Sequence, residues 1–299
     1  MNSADSKFAT IFRRIPFPLW QRALLFSVAY FVFAEAGGFL SVRDSSYVSF
    51  WLPAGLYVSV LLLNERRAWP WLVLAAFPAN LLFDLFHGTK LGAILLFYCA
   101  NTIQAVTGAW LVSRFVAERP TLATLTELVG LLGFAALLSP LLGGALGAAT
   151  LSITGLSHSF EQSFKVWWGS NAMAILLLAP FILTWFSKPH STHRHFGSPK
   201  KRLLEAALLL SALIALTGHL LVGNSGIMGP YKFQLLLPLL WAGLRFGPRG
   251  AAAANLMVAL LMSFFITQFS TALTLDQISS EEYIYSSCKR FWRWWRSWG

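Results

Sequence analysis

Nine residues inside or beside the long apolar runs of this sequence have side chains that could build a binding site. They are carboxylates, amides, tryptophans and one proline: Glu35, Trp51, Pro53, Asn80, Asp84, Asn101, Gln104, Trp168 and Asn171. Asn80 and Asp84 are four residues apart, so on a helix they share one face. Amide and ionisable groups inside a membrane are costly and usually face a bundle interior or a wet cavity. We therefore expect these residues to form a ligand-binding cavity.

The simpler alternative is that the amides form hydrogen bonds between helices and bind no ligand. Such bonds contribute about 0.6 kcal/mol each on average, so each residue alone fits either interpretation. The set favours a cavity because most of its members lie towards the ends of their runs that the distribution of basic residues, described below, predicts to be periplasmic. Scattered structural hydrogen bonds would not share this bias. Three glycines, Gly143, Gly144 and Gly147, are expected to permit close helix packing.

The sequence offers little for catalysis. It has no phosphate-binding glycine loop and no Gly-x-Ser-x-Gly nucleophile pattern, and Ser170 has no base near it in sequence. The histidines of "KPHSTHRH", at positions 190, 193 and 195, could grip a metal, but a polar loop explains them better. The two cysteines supply no disulfide framework. We predict no catalytic residue, no metal site and no cofactor, and we do not expect an enzyme.

Composition points to lipid as the main solvent of the chain. Of 299 residues, 56% are hydrophobic and only 12% are charged, against about 25% charged in soluble domains. The mean hydropathy is +0.60, and no cleavable signal pattern begins the chain. Most apolar runs approach the roughly 20 residues that a bilayer requires. The runs cover residues 21–40, 48–63, 69–86, 91–113, 126–151, 166–187, 203–222, 231–246 and 250–270.

These runs predict an all-α polytopic integral membrane helical bundle with eight or nine transmembrane helices. Residues 1–19 are expected to form a cytoplasmic N-terminal segment, 20–270 the membrane domain and 271–299 a tail that does not span. Two runs, 48–63 and 231–246, are short and contain Pro53 and Pro238, which we expect to kink mobile segments. The stretches that begin at Leu52 and Leu237 also echo each other, which suggests a parallel repeat.

The distribution of basic residues predicts the orientation. The net charge is +11, but the cations lie in clusters between apolar runs, so nucleic acid is not an expected partner. An excess of cations marks cytoplasmic loops. With the N-terminus inside, the cytoplasmic ends hold Lys7, Arg13, Arg14, Arg22, Arg66, Arg67, Arg114, Arg119, Lys188, Arg194, Lys200, Lys201, Arg202, Arg245 and Arg249. The outer ends hold only Arg43, Lys90, Lys165 and Lys232.

The other cations lie in the tail, which ends "CKRFWRWWRSWG". Tryptophan prefers the level of the lipid headgroups, and an arginine at the centre of a spanning helix costs about 2.5–3.5 kcal/mol. We therefore expect residues 285–299 to lie on the membrane surface or to be disordered. Their deletion should leave the bundle folded.

Five segments together resemble the first membrane-associated sensor (MASE) domain family. They are "SFWLPAGLYVSVLLL", "RRAWPWLVLAAFPANLL", "NTIQAVTGAWLV", "VWWGSNAMAILLLAPFIL" and "LLLPLLWAGLRFGPRGAAA", and their order and spacing match over about residues 20–270. The resemblance implies a membrane input module of the bacterial inner membrane. In that family the module is joined to cytoplasmic PAS, diguanylate cyclase, phosphodiesterase or histidine kinase domains. No such output domain follows in this sequence.

The expected function is therefore sensory input for a two-component or cyclic-di-GMP signalling system. An unknown small ligand or membrane cue would be detected through an outward-facing pocket. The alternatives are a small-molecule membrane transporter, which also suits short broken helices and a repeat, and a scaffold that recruits a membrane protein. The expected partners are membrane lipid, a small-molecule ligand, a partner membrane protein and a second copy in a homodimer.

Overall fold

The structure is a computed structural model that describes residues 17–40, 50–157, 159–187, 199–222 and 230–276. These residues are helical and contain no strand, which confirms the all-α prediction. Within them, seven helices are long and apolar enough to cross a membrane, and Leu52–Leu63 is a shorter apolar helix. The tail 285–299, the histidines at positions 190, 193 and 195 and most of the N-terminal segment lie outside the described residues.

Nine helices follow one another along the described residues. They are α1 (Leu19–Phe39), α2 (Leu52–Leu63), α3 (Trp69–Phe86), α4 (Leu91–Phe115), α5 (Leu125–Gly130), α6 (Ser139–Ile153), α7 (Phe160–Phe186), α8 (Pro199–Val222) and α9 (Leu236–Asp276). Short 3₁₀ turns precede α3 and α9, at Arg66–Ala68 and Pro230–Leu235. A π-helical segment, Leu131–Leu138, joins α5 to α6 into one continuous span.

The helix starts follow from local sequence. The side chain of Thr124 accepts a hydrogen bond from the Glu127 amide at the start of α5, at 3.2 Å. Ser159 caps α7 in the same way. Pro53 occupies the first turn of α2, where the missing N–H would have no helical partner. Pro238 likewise falls in the first turn of α9. The expectation of a kink is therefore wrong for Pro53. Pro238 lies where the 3₁₀ turn Pro230–Leu235 passes into α9, and a kink there stays a prediction.

The break in α9 lies at Gly247, whose φ is 68° and ψ −159°. Only glycine adopts this conformation readily. The two arms fold back on each other, since the Ala242 carbonyl oxygen lies 2.6 Å from where a Cβ on Gly250 would be. In a straight helix these residues would be about 12 Å apart. The arms form a helical hairpin and match the two predicted runs 231–246 and 250–270.

One apolar core joins α1, α2, α3, α4, the π-helical segment and α7. The close contact of α2 with α7 needs Gly55, because a Cβ there would lie 2.5 Å from the Ala174 carbonyl oxygen. A smaller apolar cluster joins α8 to both arms of α9. Large apolar side chains of α1, such as Leu24 and Val28, are more than half exposed. A surface of this kind suits lipid.

One end of the bundle is tied together by arginines, and we call it the basic end. Arg22 at the start of α1 donates to the Asn64 side chain after α2, at 2.7 Å. Arg119 after α4 forms an ion pair with Glu65, at 3.1 Å. These contacts bring the predicted cytoplasmic ends of the first helices together.

Candidate functional site

A cavity of about 170 Å³ opens at the end of the bundle opposite the basic end. It lies between the start of α2, the last turns of α3, the first half of α4, the end of α6 and the first turns of α7. Its lining combines aromatic, amide, hydroxyl and carboxyl side chains: Trp51, Asn80, Phe83, Asp84, Phe97, Asn101, Leu151, Ser163, Val166, Trp167, Ser170 and Asn171.

Asn80 is the centre of the polar network on one side of this cavity. Its side-chain oxygen accepts from the Tyr30 hydroxyl of α1 at 3.1 Å and from the Asn101 amide of α4 at 3.3 Å. Its own amide donates to the Asp84 carboxylate one turn along α3, at 2.6 Å. All four side chains are at least nine-tenths buried. One amide therefore connects three helices and orients the carboxylate.

A second polar bridge lies on the opposite side. The Gln104 amide of α4 donates to the Asn171 side-chain oxygen of α7 at 3.0 Å, and Asn171 donates to the Trp167 carbonyl at 2.8 Å. Gln104 is 1% exposed and lies below the lining residues. This bridge fixes α4 against α7 at the base of the cavity.

The structure brings together most of the site residues expected from sequence. Five of them line the cavity: Trp51, Asn80, Asp84, Asn101 and Asn171. Gln104 contacts the lining through its bond to Asn171. Whether these residues bind a ligand stays a prediction.

Three members of the expected set do not line the cavity. Glu35 is half-buried near the end of α1 and is not among the lining residues. Pro53 is buried in the first turn of α2, inside the core. Trp168 faces α6 instead, where its indole donates to the Leu137 carbonyl of the π-helical segment at 3.1 Å. These three residues were expected in the pocket, and the structure places them outside its lining.

Trp167 takes the place expected for Trp168. It is four residues after Ser163 and four before Asn171, so all three lie on one stripe of α7. This spacing was the signal that could have identified it. The rings of Phe83 and Phe97 were also missed, because a phenylalanine in an apolar run carries no distinguishing signal.

Two glycines of α6 make room for the cavity wall and its base. A Cβ on Gly147 would collide with the indole of Trp167, and one on Gly143 would collide with the side-chain oxygen of Gln104. These two glycines were expected to permit close helix packing, and each one faces a particular side chain of a neighbouring helix. They let α6 approach two bulky side chains that belong to the site.

The chemistry of the cavity is suited to binding. Within the described ranges no three His, Cys, Asp or Glu side chains are grouped to hold a metal. Three buried polar atoms of lining side chains have no hydrogen-bond partner: Trp51 Nε1, Trp167 Nε1 and Asn101 Oδ1. A buried polar group left unpaired costs about 1–3 kcal/mol. A ligand that pairs with these atoms would recover part of that cost.

Comparison with known proteins agrees with this architecture. The sequence profile of the MASE1 family matches residues 22–286. The chain is 26% identical over 255 residues to a protein of Escherichia coli (strain K12) named "Probable diguanylate cyclase DgcE". The match covers 83% of this chain but 22% of that relative, so the chain spans about a fifth of the relative's length. No solved structure matches. With its apolar helices and this match, the chain is a multi-pass membrane protein that belongs to the MASE1 family of membrane sensory domains.

Proposed function

We propose that the chain is the input module of a bacterial signalling protein and detects a small molecule through its cavity. The observation that carries this proposal is the position of the cavity. It gathers buried polar side chains from three helices, α3, α4 and α7, at the end opposite the basic end. Because basic ends are retained in the cytoplasm, the cavity would open to the periplasm and the N-terminus would be cytoplasmic. The membrane would be the bacterial inner membrane.

The packing below the cavity favours a sensor over a transporter. Between the cavity and the basic end, the bundle interior is filled by large apolar side chains with no exposure, such as Leu61, Leu72 and Leu183. A transporter needs a polar route through the second half of its bundle. A sensor needs only that the ligand binds one helix arrangement better than another.

Helix α7 supplies a physical link from the cavity to the basic end. Asn171 lies at the base of the cavity, and the Thr184 carbonyl near the end of α7 accepts from Arg249 at 2.8 Å. Arg249 follows the Gly247 turn of α9, and its neighbour across that turn, Arg245, pairs with Glu205 of α8. A shift of α7 on ligand binding would therefore reach the cytoplasmic ends of α8 and α9.

The relayed signal would act on a cytoplasmic output domain of the diguanylate cyclase, phosphodiesterase or histidine kinase type. On this proposal any catalysis belongs to that output domain and none to the bundle. The outside of the bundle exposes large apolar side chains, which can contact lipid, a partner membrane protein or a second copy of the chain. These three are the proposed partners of the outer surface.

Orientation can be tested by labelling with an impermeant thiol reagent. In a variant with Cys99 and Cys288 replaced by serine, Lys165→Cys should be labelled in intact cells, because it lies at the cavity end. Arg119→Cys, at the basic end, should be labelled only after the membrane is opened. The reverse pattern would place the cavity in the cytoplasm and contradict the proposed direction of signalling.

The sensory role can be tested in a chimaera in which this chain replaces the matching region of the Escherichia coli relative. We expect Asn171→Leu to change the cellular cyclic-di-GMP level about fivefold. The substitution removes the hydrogen bond from Gln104 that joins α4 to α7, and losing about 1 kcal/mol between the helices shifts a two-state equilibrium by that factor. The matched control is Asn255→Leu, since Asn255 of α9 is exposed.

Equal cyclic-di-GMP levels in the two variants, at equal protein abundance, would contradict the sensory role. The transport alternative is tested separately by uptake into liposomes that contain the purified chain. Saturable uptake that Asn171→Leu abolishes would replace the sensor by a transporter.

A further inference from the structure

Four aromatic side chains among the lining residues form two ring pairs. Trp51 packs edge-on against Phe83, with ring centroids 5.3 Å apart. Phe97 packs against Trp167, with centroids 5.4 Å apart. The pairs come from α2 with α3 and from α4 with α7. Aromatic faces attract cations, and the attraction grows where water is excluded.

Asp84 is the one ionisable side chain among the lining residues. It is 8% exposed, and its carboxylate accepts a hydrogen bond from the neutral side-chain amide of Asn80. The ion pairs of the described residues involve other carboxylates, those of Glu65, Glu161 and Glu205. Buried charges in proteins are normally paired. His87, three residues along the chain, interacts electrostatically with Asp84 but is not a lining residue, and the lining itself holds no lysine, arginine or histidine.

The unpartnered polar atoms add a requirement for hydrogen bonding. The side-chain oxygen of Asn101, a residue 7% exposed, has no donor. The indole nitrogens of Trp51 and Trp167 have no acceptor. A matching ligand would donate near Asn101 and Asp84 and would accept from the indoles.

We propose that the cavity binds a small primary ammonium compound that also carries an oxygen acceptor. This inference rests on the proposed function of the cavity as a ligand site and adds the chemical class. The ammonium group would sit between the rings and donate to Asp84 and Asn101, while the oxygen would accept from an indole. An anion would meet a carboxylate and no cation. A purely apolar ligand would leave the carboxylate and the unpartnered atoms without partners.

The size of the cavity limits the ligand. A cavity of about 150 Å³ is enough for benzene, so the 170 Å³ here suit a compound of about six to eight non-hydrogen atoms. Amino alcohols and short amino acids are of this size. The headgroup of phosphatidylethanolamine offers the same ammonium from the lipid itself.

The test is thermal unfolding of the purified chain in detergent with size-matched probes. Aminobutanol and aminobutyrate, each with the amine and the oxygen group at opposite ends of the chain, should raise the melting temperature in a saturable way. Ligands that bind the folded state stabilise it. Butanediol and succinate should not. Choline, which has no N–H donor, should bind at least several-fold more weakly than aminobutanol.

Two variants assign the effect to named groups. Asp84→Asn should weaken aminobutanol binding at least tenfold, while the matched control Glu161→Gln, an exposed acid at the same end of the bundle, should leave it unchanged. Trp51→Phe keeps the ring and removes the N–H. It should weaken aminobutanol binding several-fold and leave butylamine binding unchanged, which keeps the proposal falsifiable if Asp84→Asn does not fold.

The outcomes separate this inference from the function on which it rests. Equal stabilisation by butanediol or succinate, lost in Asn171→Leu, would overturn the ammonium class and keep the ligand cavity. No shift with any probe, in detergent and in nanodiscs free of phosphatidylethanolamine, would also overturn the class, while the chimaera still tests the sensory role. Stabilisation by free amines that vanishes in nanodiscs containing phosphatidylethanolamine would support the class and identify the headgroup as the occupant.

Discussion

Asn80→Leu should lower the free energy of unfolding by about 3 kcal/mol or more. The substitution removes the hydrogen-bond partner of the Tyr30 hydroxyl, the Asp84 carboxylate and the Asn101 amide at once. Each of these groups is buried, and leaving one unpaired costs about 1–3 kcal/mol. Chemical unfolding in detergent, followed by circular dichroism, measures the loss.

The matched control is Asn255→Leu in α9. Asn255 follows an alanine-rich stretch as Asn80 follows "AAFPA", but its side chain is exposed. Its replacement should change the unfolding free energy by less than about 0.5 kcal/mol, as is usual for surface sites. If the two substitutions have equal effects, the network around Asn80 is not what holds α1, α3 and α4 together.

Gly147→Val should displace Trp167 and close the cavity from the α6 side. The added side chain would overlap the indole, which also packs against Phe97, so the ring would be pushed into the cavity that it lines. Overpacking of this kind typically costs about 1–3 kcal/mol. We expect a lower melting temperature in detergent and loss of any ligand-induced stabilisation.

Gly92→Val is the control for this substitution. Gly92 lies in the first turn of α4, and a Cβ there would meet nothing within 4 Å. Its replacement should leave both the melting temperature and ligand stabilisation nearly unchanged. Retained ligand stabilisation in Gly147→Val would show that Trp167 is not part of the wall that a ligand contacts.

Hydropathy predicted the helices well because lipid demands long apolar segments regardless of their partners. Each predicted run coincides with a helix or with an arm of the α9 hairpin. Helix breaks were harder to predict. Pro53 was expected to kink its segment because a proline inside a helix removes a hydrogen bond, yet it begins α2, where that bond is absent in any case.

The side chains of the site were predicted in part, for a physical reason. Amides inside apolar runs need partners wherever the helices pack, so Asn80, Asn101 and Asn171 were visible in the sequence. Adjacent residues on a helix point about 100° apart, and hydropathy cannot choose between Trp167 and Trp168. Which of the two lines the cavity depends on the size of the facing residue on the neighbouring helix. The indole of Trp167 fits because the facing residue of α6 is Gly147, which has no side chain. Tyr30 was missed because its hydroxyl meets Asn80 only once α1 packs on α3.

The position of the glycine turn of α9 gives the depth of the cavity base below the membrane surface. A reversal of the chain leaves backbone groups unpaired and is not tolerated against hydrocarbon, so Gly247 marks the level of one membrane surface. Arg249 at that turn contacts Thr184, which is 13 residues, or about 20 Å along α7, from Asn171. In a hydrocarbon layer about 30 Å thick, the base of the cavity then lies about 10 Å below the opposite surface. A compound that reaches the base of the cavity loses its hydration shell. The free energy of its contacts with the site must therefore exceed the hydration free energy that it loses.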